Sequence, residues 1–178
     1  MILIGLGGNL TCPTFGPPRA TCGAALQIME NRGVSVSARS RWYETAPVPV
    51  SDQPWYVNGI VAVETTLEPA ALVAEVLDIE NELGRRRTVA NAPRTIDLDV
   101  IAHGDTVIEA DQKHQVAIPH PRMHLRAFVL LPMREIAPDW RHPASGRMLD
   151  DMIADLPADQ ECRPMAEADG FYGTEWAG

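Results

Sequence analysis

Lysine is almost missing from this chain: Lys113 is the only one, so nearly all the positive charge is arginine. Arginine presents a planar, bidentate fork to phosphate and carboxylate, and it is the side chain of choice where polyphosphate must be held in a fixed geometry. Cysteine is also scarce. Cys12, Cys22 and Cys162 are odd in number and form no C-x-x-C pair, which favours a reducing compartment over a disulfide scaffold. Net positive charge is absent too. A formal charge of −9 and a pI near 4.9 argue against a nucleic-acid partner held by bulk electrostatics. The opening run Met1-Ile2-Leu3-Ile4-Gly5 has no basic flank and is too short for a signal core or a membrane span, so no membrane association and a cytoplasmic location are expected. There is no internal repeat and no low-complexity tract.

What is present is ordinary for a soluble domain: 178 residues, 46% hydrophobic and 22% charged, enough for one independent core. Ile2–Leu6 reads as a buried first strand, ended by a turn at Gly7-Gly8-Asn9. Those glycines lack both the G-x-G-x-x-G spacing and a Walker lysine, so a nucleotide loop is not indicated. Thr11–Pro18 reads as loop, Arg19–Arg32 as a helix stopped by Gly33, and Val34–Tyr43 as a strand with one wet face. Three prolines make Thr45–Pro54 an irregular loop. Trp55–Thr66 is a second long strand. Pro69 starts a helix whose stripe of Leu72, Val76, Ile79 and Leu83 ends at Gly84. A small hairpin is expected over 106–118, a rigid turn at Pro119-His120-Pro121-Arg122, and helices over 124–136 and 148–156. The tail from Pro157 is expected to pack loosely. Strand, helix, strand, strand, helix, strand is the ferredoxin-like α+β plan, an antiparallel sheet with helices packed on one face and C-terminal additions.

Chemistry concentrates in Pro93-Arg94-Thr95-Ile96-Asp97-Leu98-Asp99-Val100. Apolar Ile96, Leu98 and Val100 alternate with Asp97 and Asp99, the period of a half-buried strand. Residues two apart share a face, which places the two carboxylates roughly 6–7 Å apart at a rise of about 3.3 Å per residue. Such a pair repels itself unless a cation intervenes. Mg²⁺ suits it, taking one or two carboxylates and completing its shell with water and phosphate oxygens. Arg94 stands beside the pair and Arg85-Arg86-Arg87 a few residues earlier, the cations that phosphate oxygens require. His120 and His124 are four apart, but Pro121 makes a shared helix face doubtful as half a zinc site.

Seven segments in order carry a resemblance: Leu6-Gly7-Gly8-Asn9-Leu10, Tyr43-Glu44-Thr45-Ala46-Pro47, Gln53-Pro54-Trp55-Tyr56-Val57-Asn58, Ile79-Glu80 with Gly84-Arg85-Arg86-Arg87, Pro93 to Asp99, Pro119-His120-Pro121-Arg122, and Arg126-Ala127-Phe128-Val129-Leu130. Over about Ile2 to Met152 the chain resembles the 6-hydroxymethyl-7,8-dihydropterin pyrophosphokinases of folate biosynthesis. The resemblance implies transfer of the β,γ-pyrophosphoryl group of ATP to the pterin hydroxymethyl, with release of AMP. It implies that Asp97 and Asp99 hold two Mg²⁺ ions, with Arg94 beside them. Glu80, Arg85, Arg87, His120 and Arg126 are implied on the ATP side, and Thr45, Pro47, Val48, Tyr56, Asn58 and Phe128 around the pterin. Residues 1–156 would be one pyrophosphokinase-like domain and 157–178 its tail. ATP and a reduced pterin are the expected partners, and a monomer or weak dimer the expected state.

Two departures accompany the resemblance. The loop Thr88-Val89-Ala90-Asn91-Ala92 is shorter than the family's lid and lacks its Arg-Trp-Gly, and the first turn reads Gly-Gly-Asn in place of Gly-Ser-Asn. A lid excludes water and retains substrates, so a non-catalytic pterin- or nucleotide-binding relative with a degenerate lid is the alternative. A third reading is a different D-x-D metal enzyme, such as a nuclease or nucleotidyl transferase; the acidic balance counts against polynucleotide substrates.

Overall fold

In the computed structural model, residues 1–85, 92–110 and 116–166 are described. The apolar first run forms strand β1 (Ile2–Gly8), followed by helix α1 (Pro18–Asn31), with Pro18 at a helix start that needs no N–H. Gly33, at φ 76°, turns the chain out of that helix. Then come β2 (Ser35–Arg39), β3 (Tyr43–Thr45), β4 (Tyr56–Glu64), α2 (Pro69–Glu82), β5 (Asp97–His103), α3 (Ala127–Ile136), α4 (Leu149–Ala154) and β6 (Cys162–Pro164). The sheet order is β5-β1-β4-β3-β6, with β2 also paired to β4, and every pairing is antiparallel. With β2 and β3 counted as one broken strand, this is the expected ferredoxin-like order.

The expected helical stripe of α2 is buried: Leu72, Val76, Ile79 and Leu83 pack with Leu26 and Met29 of α1 and with Leu98 and Val100 of β5. A second cluster lies on the opposite face of the sheet, where Leu130 and Met133 of α3 and Leu149 and Met152 of α4 cover Leu3, Ile60 and Ile101. The C-terminal additions, to which the sequence assigned no face, therefore form a third layer. Periodicity marks an apolar stripe but carries no information on which face of the sheet receives it.

Three local readings also change. The single strand expected over 34–43 is two strands, divided at Ser40-Arg41-Trp42. A register shift between Val36 and Ala38 sends Val36 to the α1/α2 cluster and Ala38 to the α3/α4 cluster, the face change that one extra residue produces. Gly7 and Gly8 do not turn; they continue β1, opposite Asn58 and Val57. The described start of the tail, 157–166, adds β6 to the edge of β3, and the Met165 N–H donates to the Trp42 carbonyl at 2.8 Å; residues 167–178, also expected to be loose, lie outside the described residues. All three cysteines are free. Among the described residues, no helix is long and apolar enough to cross a membrane.

Candidate active site

Leu98 and Val100 of β5 enter the α1/α2 core, which leaves Asp97 and Asp99 together on the opposite face. The shared face read from the sequence is observed. Among the described residues β5 is bordered only by β1, and there the residues directly opposite Asp97 and Asp99 are Gly7 and Gly5. Residues directly opposite one another in an antiparallel pair point to the same side. Gly7 in turn faces Asn58 on β4. One row across the sheet thus reads Asp97, Gly7, Asn58, a carboxylate and an amide separated by a strand with no side chain. At about 4.8 Å per strand the two outer backbones are roughly 10 Å apart. A Cβ on Gly7 would run into the Asn58 side-chain oxygen, which leans over the gap.

Guanidinium groups surround the first carboxylate. Arg94 donates through Nη1 to Asp97 Oδ2 at 2.7 Å, and Arg85 is paired with both Asp97 and Glu80. Burial would lower the Arg85 pKa, but the charges of Asp97 and Glu80 hold it above its ordinary value. Glu80, expected among the nucleotide contacts, lies beneath that level with a side chain 1% exposed; it accepts the Leu98 N–H at 2.7 Å. Sited on the inner face of α2, it holds Arg85 and the start of β5 from below.

Arg94 is fixed by its own backbone. Its N–H donates to Asn9 Oδ1 at 2.8 Å and its carbonyl accepts the Asn9 N–H at 2.9 Å, while Asn9 Nδ2 donates to the Pro54 carbonyl at 3.0 Å. This close approach requires Gly8, whose Cβ would strike the Thr95 carbonyl. Asn9, 4% exposed, was given no role from sequence. A polar side chain directly after two glycines at a strand end was the available signal.

Asp99 has looser company: Arg126 Nη1 at 3.8 Å and His120 Nε2 at 4.0 Å from its Oδ2. Burial raises the Asp99 pKa, the neighbouring Asp97 adds to this, and His120 and Arg126 oppose it. Burial lowers His120 despite the attraction of Asp99. His120 accepts the Arg122 N–H through Nδ1 at 3.2 Å, so a neutral ring carries its proton on Nε2, the nitrogen nearest Asp99. The His120 N–H donates to the Ile101 carbonyl at 2.9 Å, which ties the Pro119–Arg122 turn to β5. Burial also lowers the Arg126 pKa, as does the adjacent Arg122 charge. The Arg126 guanidinium lies 5.4 Å from the centre of the Phe128 ring.

Across the floor, Asn58 Nδ2 donates to Thr45 Oγ1 at 2.6 Å, and both residues are buried. This bond leaves the Asn58 oxygen facing Gly7. Tyr56 donates its hydroxyl to Gln53 Oε1 at 3.1 Å. Pro47 is buried, whereas Val48 stands 51% exposed on the same loop. The sequence-derived residues thus fall into two banks, Arg85, Arg94, His120 and Arg126 around the aspartates and Thr45, Tyr56 and Asn58 opposite, with Phe128 of α3 beside Arg126. Arg87 and loop residues 88–91, where the altered lid was read, lie outside the described residues. Among the described residues no three His, Cys, Asp or Glu side chains converge as metal ligands. Asp97 and Asp99 offer two carboxylate donors on one face, a set that suits a hard cation completing its shell with water and phosphate oxygens.

Comparison with known proteins gives a family and a fold. Residues 3–138 match the family model described as 7,8-dihydro-6-hydroxymethylpterin-pyrophosphokinase. A 2-amino-4-hydroxy-6-hydroxymethyldihydropteridine pyrophosphokinase of Synechocystis is 39% identical over 152 residues, covering 85% of this chain and 73% of that one. The Pseudomonas aeruginosa protein of the same name is 37% identical over 160 residues, covering 88% and 91%. Among solved structures, Plasmodium falciparum HPPK-DHPS superposes with a TM-score of 0.65 at 13% identity, covering 86% of this chain and 41% of that one; this likeness concerns the fold alone.

Proposed function

The chain belongs to the 7,8-dihydro-6-hydroxymethylpterin-pyrophosphokinase family and transfers pyrophosphate from ATP to the hydroxymethyl group of 6-hydroxymethyl-7,8-dihydropterin; from this premise we propose that the face shared by β5, β1 and β4 is where the transfer occurs. The observation that carries the proposal is the row Asp97, Gly7, Asn58. A flat ligand set over Gly7 reaches the Asn58 amide at one end and the carboxylate bank at the other.

In this reading Asp97 and Asp99 hold Mg²⁺, two ions being expected. Bound there, Mg²⁺ would neutralise phosphate charge and polarise the phosphorus under attack. Arg94, Arg85 and Arg126 receive the phosphate oxygens; each is already directed at an aspartate, so little reorganisation is needed. His120 adds a directed Nε2 proton donor on the same bank. Asn58, fixed by Thr45, offers its oxygen to a ring N–H of the pterin, and Tyr56 and Phe128 supply aromatic faces for stacking. Among the described residues no side chain on the floor stands as a strong general base. Transfer of this kind depends on positioning and charge neutralisation more than on covalent help from protein.

The test is AMP formation from ATP and 6-hydroxymethyl-7,8-dihydropterin at millimolar Mg²⁺, followed by chromatography. Asp97→Ala and Asp99→Ala are each expected to lower kcat at least ~100-fold with unchanged circular dichroism, and chelation of the metal to stop the wild-type reaction. A double alanine variant with near-full turnover overturns the metal assignment.

A further inference from the structure

The segment that follows α4 lies beyond the 3–138 family match, yet it reaches the active-site bank at one residue. Gln160 accepts the Ala127 N–H on its Oε1 at 2.8 Å and donates through Nε2 to the Leu125 carbonyl at 2.7 Å. Those two groups belong to the peptide units on either side of Arg126. Fixing both units fixes the φ and ψ of Arg126 (−122° and 110°), and with them the direction in which its side chain leaves the backbone.

The local context explains why an outside group is needed. Arg126 is the N-cap of α3, and its side chain makes no capping bond. An arginine cannot serve as an N-cap acceptor, because guanidinium has only donors. The first free N–H of α3 is therefore satisfied by Gln160, and the Arg126 side chain extends toward Asp99, with Nη1 3.8 Å from its Oδ2. Gln160 itself is held by its neighbours. The next residue, Glu161, accepts the Ala46 N–H at 3.1 Å, and Cys162 opposes Thr45 in the sheet.

We propose that Gln160 is a positioning residue for the pyrophosphoryl-transfer site, clasping the backbone on both sides of Arg126 so that its guanidinium meets the nucleotide phosphates. The segment that carries it is also bonded to Ala46, at the start of the opposite wall, so one strap spans both banks. The proposal rests on the assignment of Arg126 to the ATP side, and the experiment separates the two.

Gln160→Met and Gln160→Ala both remove the amide and differ in the packing they leave, so they share only the lost clasp. Each is expected to raise the KM and Kd for ATP about five- to tenfold while moving the KM for the pterin less than twofold, with the thermal midpoint nearly unchanged. The same substitutions placed in an Arg126→Ala background are expected to add no further loss of ATP affinity, since coupled residues are non-additive. Unchanged ATP affinity in the Gln160 variants, or equal losses for both substrates that follow a fall in thermal midpoint, overturns the proposal. If Arg126→Ala itself leaves ATP affinity unchanged, the assignment of Arg126 fails, and the proposal with it. If Arg126→Ala weakens ATP and the Gln160 variants do not, the positioning role alone is lost.

Discussion

Among single residues, buried thiol and phenol groups set how the protein responds to alkali. Cys22 is fully buried, and desolvation pushes its thiol from 9.0 up to about 12. Tyr43 is raised from 10.0 to about 12, first by burial and then by its hydrogen bond to Glu135. Both groups keep their protons to higher pH in the folded chain than in the unfolded one. Above pH 9 the unfolded state therefore binds fewer protons, and stability falls as pH rises toward 12. For Cys22 the slope approaches about 1.4 kcal/mol per pH unit. Urea midpoints between pH 8 and 10.5 are expected to decline steadily, and Cys22→Ala to flatten part of the decline; a midpoint constant over that range counts against the account. At this scale the shared face of Asp97 and Asp99 was legible, because their alternation with apolar neighbours announces it. The depth of Glu80 was not, because sequence gives a residue's type and not its burial; its side chain is 1% exposed beneath Arg85 and Leu98.

For the elements, β1 shows what the sequence could not convey. Two adjacent glycines normally signal a turn, yet both lie in the strand, and each serves a different approach. The Thr95 carbonyl occupies the space of a Gly8 Cβ, and backbone cannot swing aside; the Asn58 side-chain oxygen occupies that of a Gly7 Cβ, and a side chain can. Gly8→Ala is therefore expected to cost stability, about 1–3 kcal/mol as in overpacked interiors, and to shift Arg94 with it. Gly7→Ala is expected to cost less stability but to raise the KM for the pterin several-fold, through loss of the Asn58 orientation. Denaturant titration and initial rates on the two variants check this, and identical behaviour would refute it. The strands that sequence resolved poorly failed for related reasons. The bulge in β2 and the three-residue β6 are fixed by partners distant in the chain, whereas α2 and β5 carry their own periodicity.

The whole molecule is a sheet between two helical layers, and its strands supply both cores at once. Leu26 belongs to one cluster and Leu130 to the other, each fully buried. Leu26→Ala and Leu130→Ala are each expected to lower stability by about 2–5 kcal/mol. Because the strands are common to both layers, helix circular dichroism and tryptophan fluorescence should report one coincident transition in either variant; a split transition would mean that the layers unfold separately. The α+β order was legible because α2 and β5 carry clear periods and turn residues such as Gly33 and Gly84 separate the remaining segments. The second layer was not, since nothing local tells α3 which side of the sheet to cover.

One edge of β4 has two tenants. Its later residues, 61–64, pair with the partly exposed β2, while its first, 56–58, pair with β3 beside the Thr45–Asn58 bond. Between them the chain steps out at Ser40-Arg41-Trp42, with the Trp42 ring seated where a Gly59 side chain would be. The sheet thus has a seam. Because β2 and β3 hold separate stretches of β4, a change in the pairing of β3 leaves the register of β2 against β4 to its own hydrogen bonds.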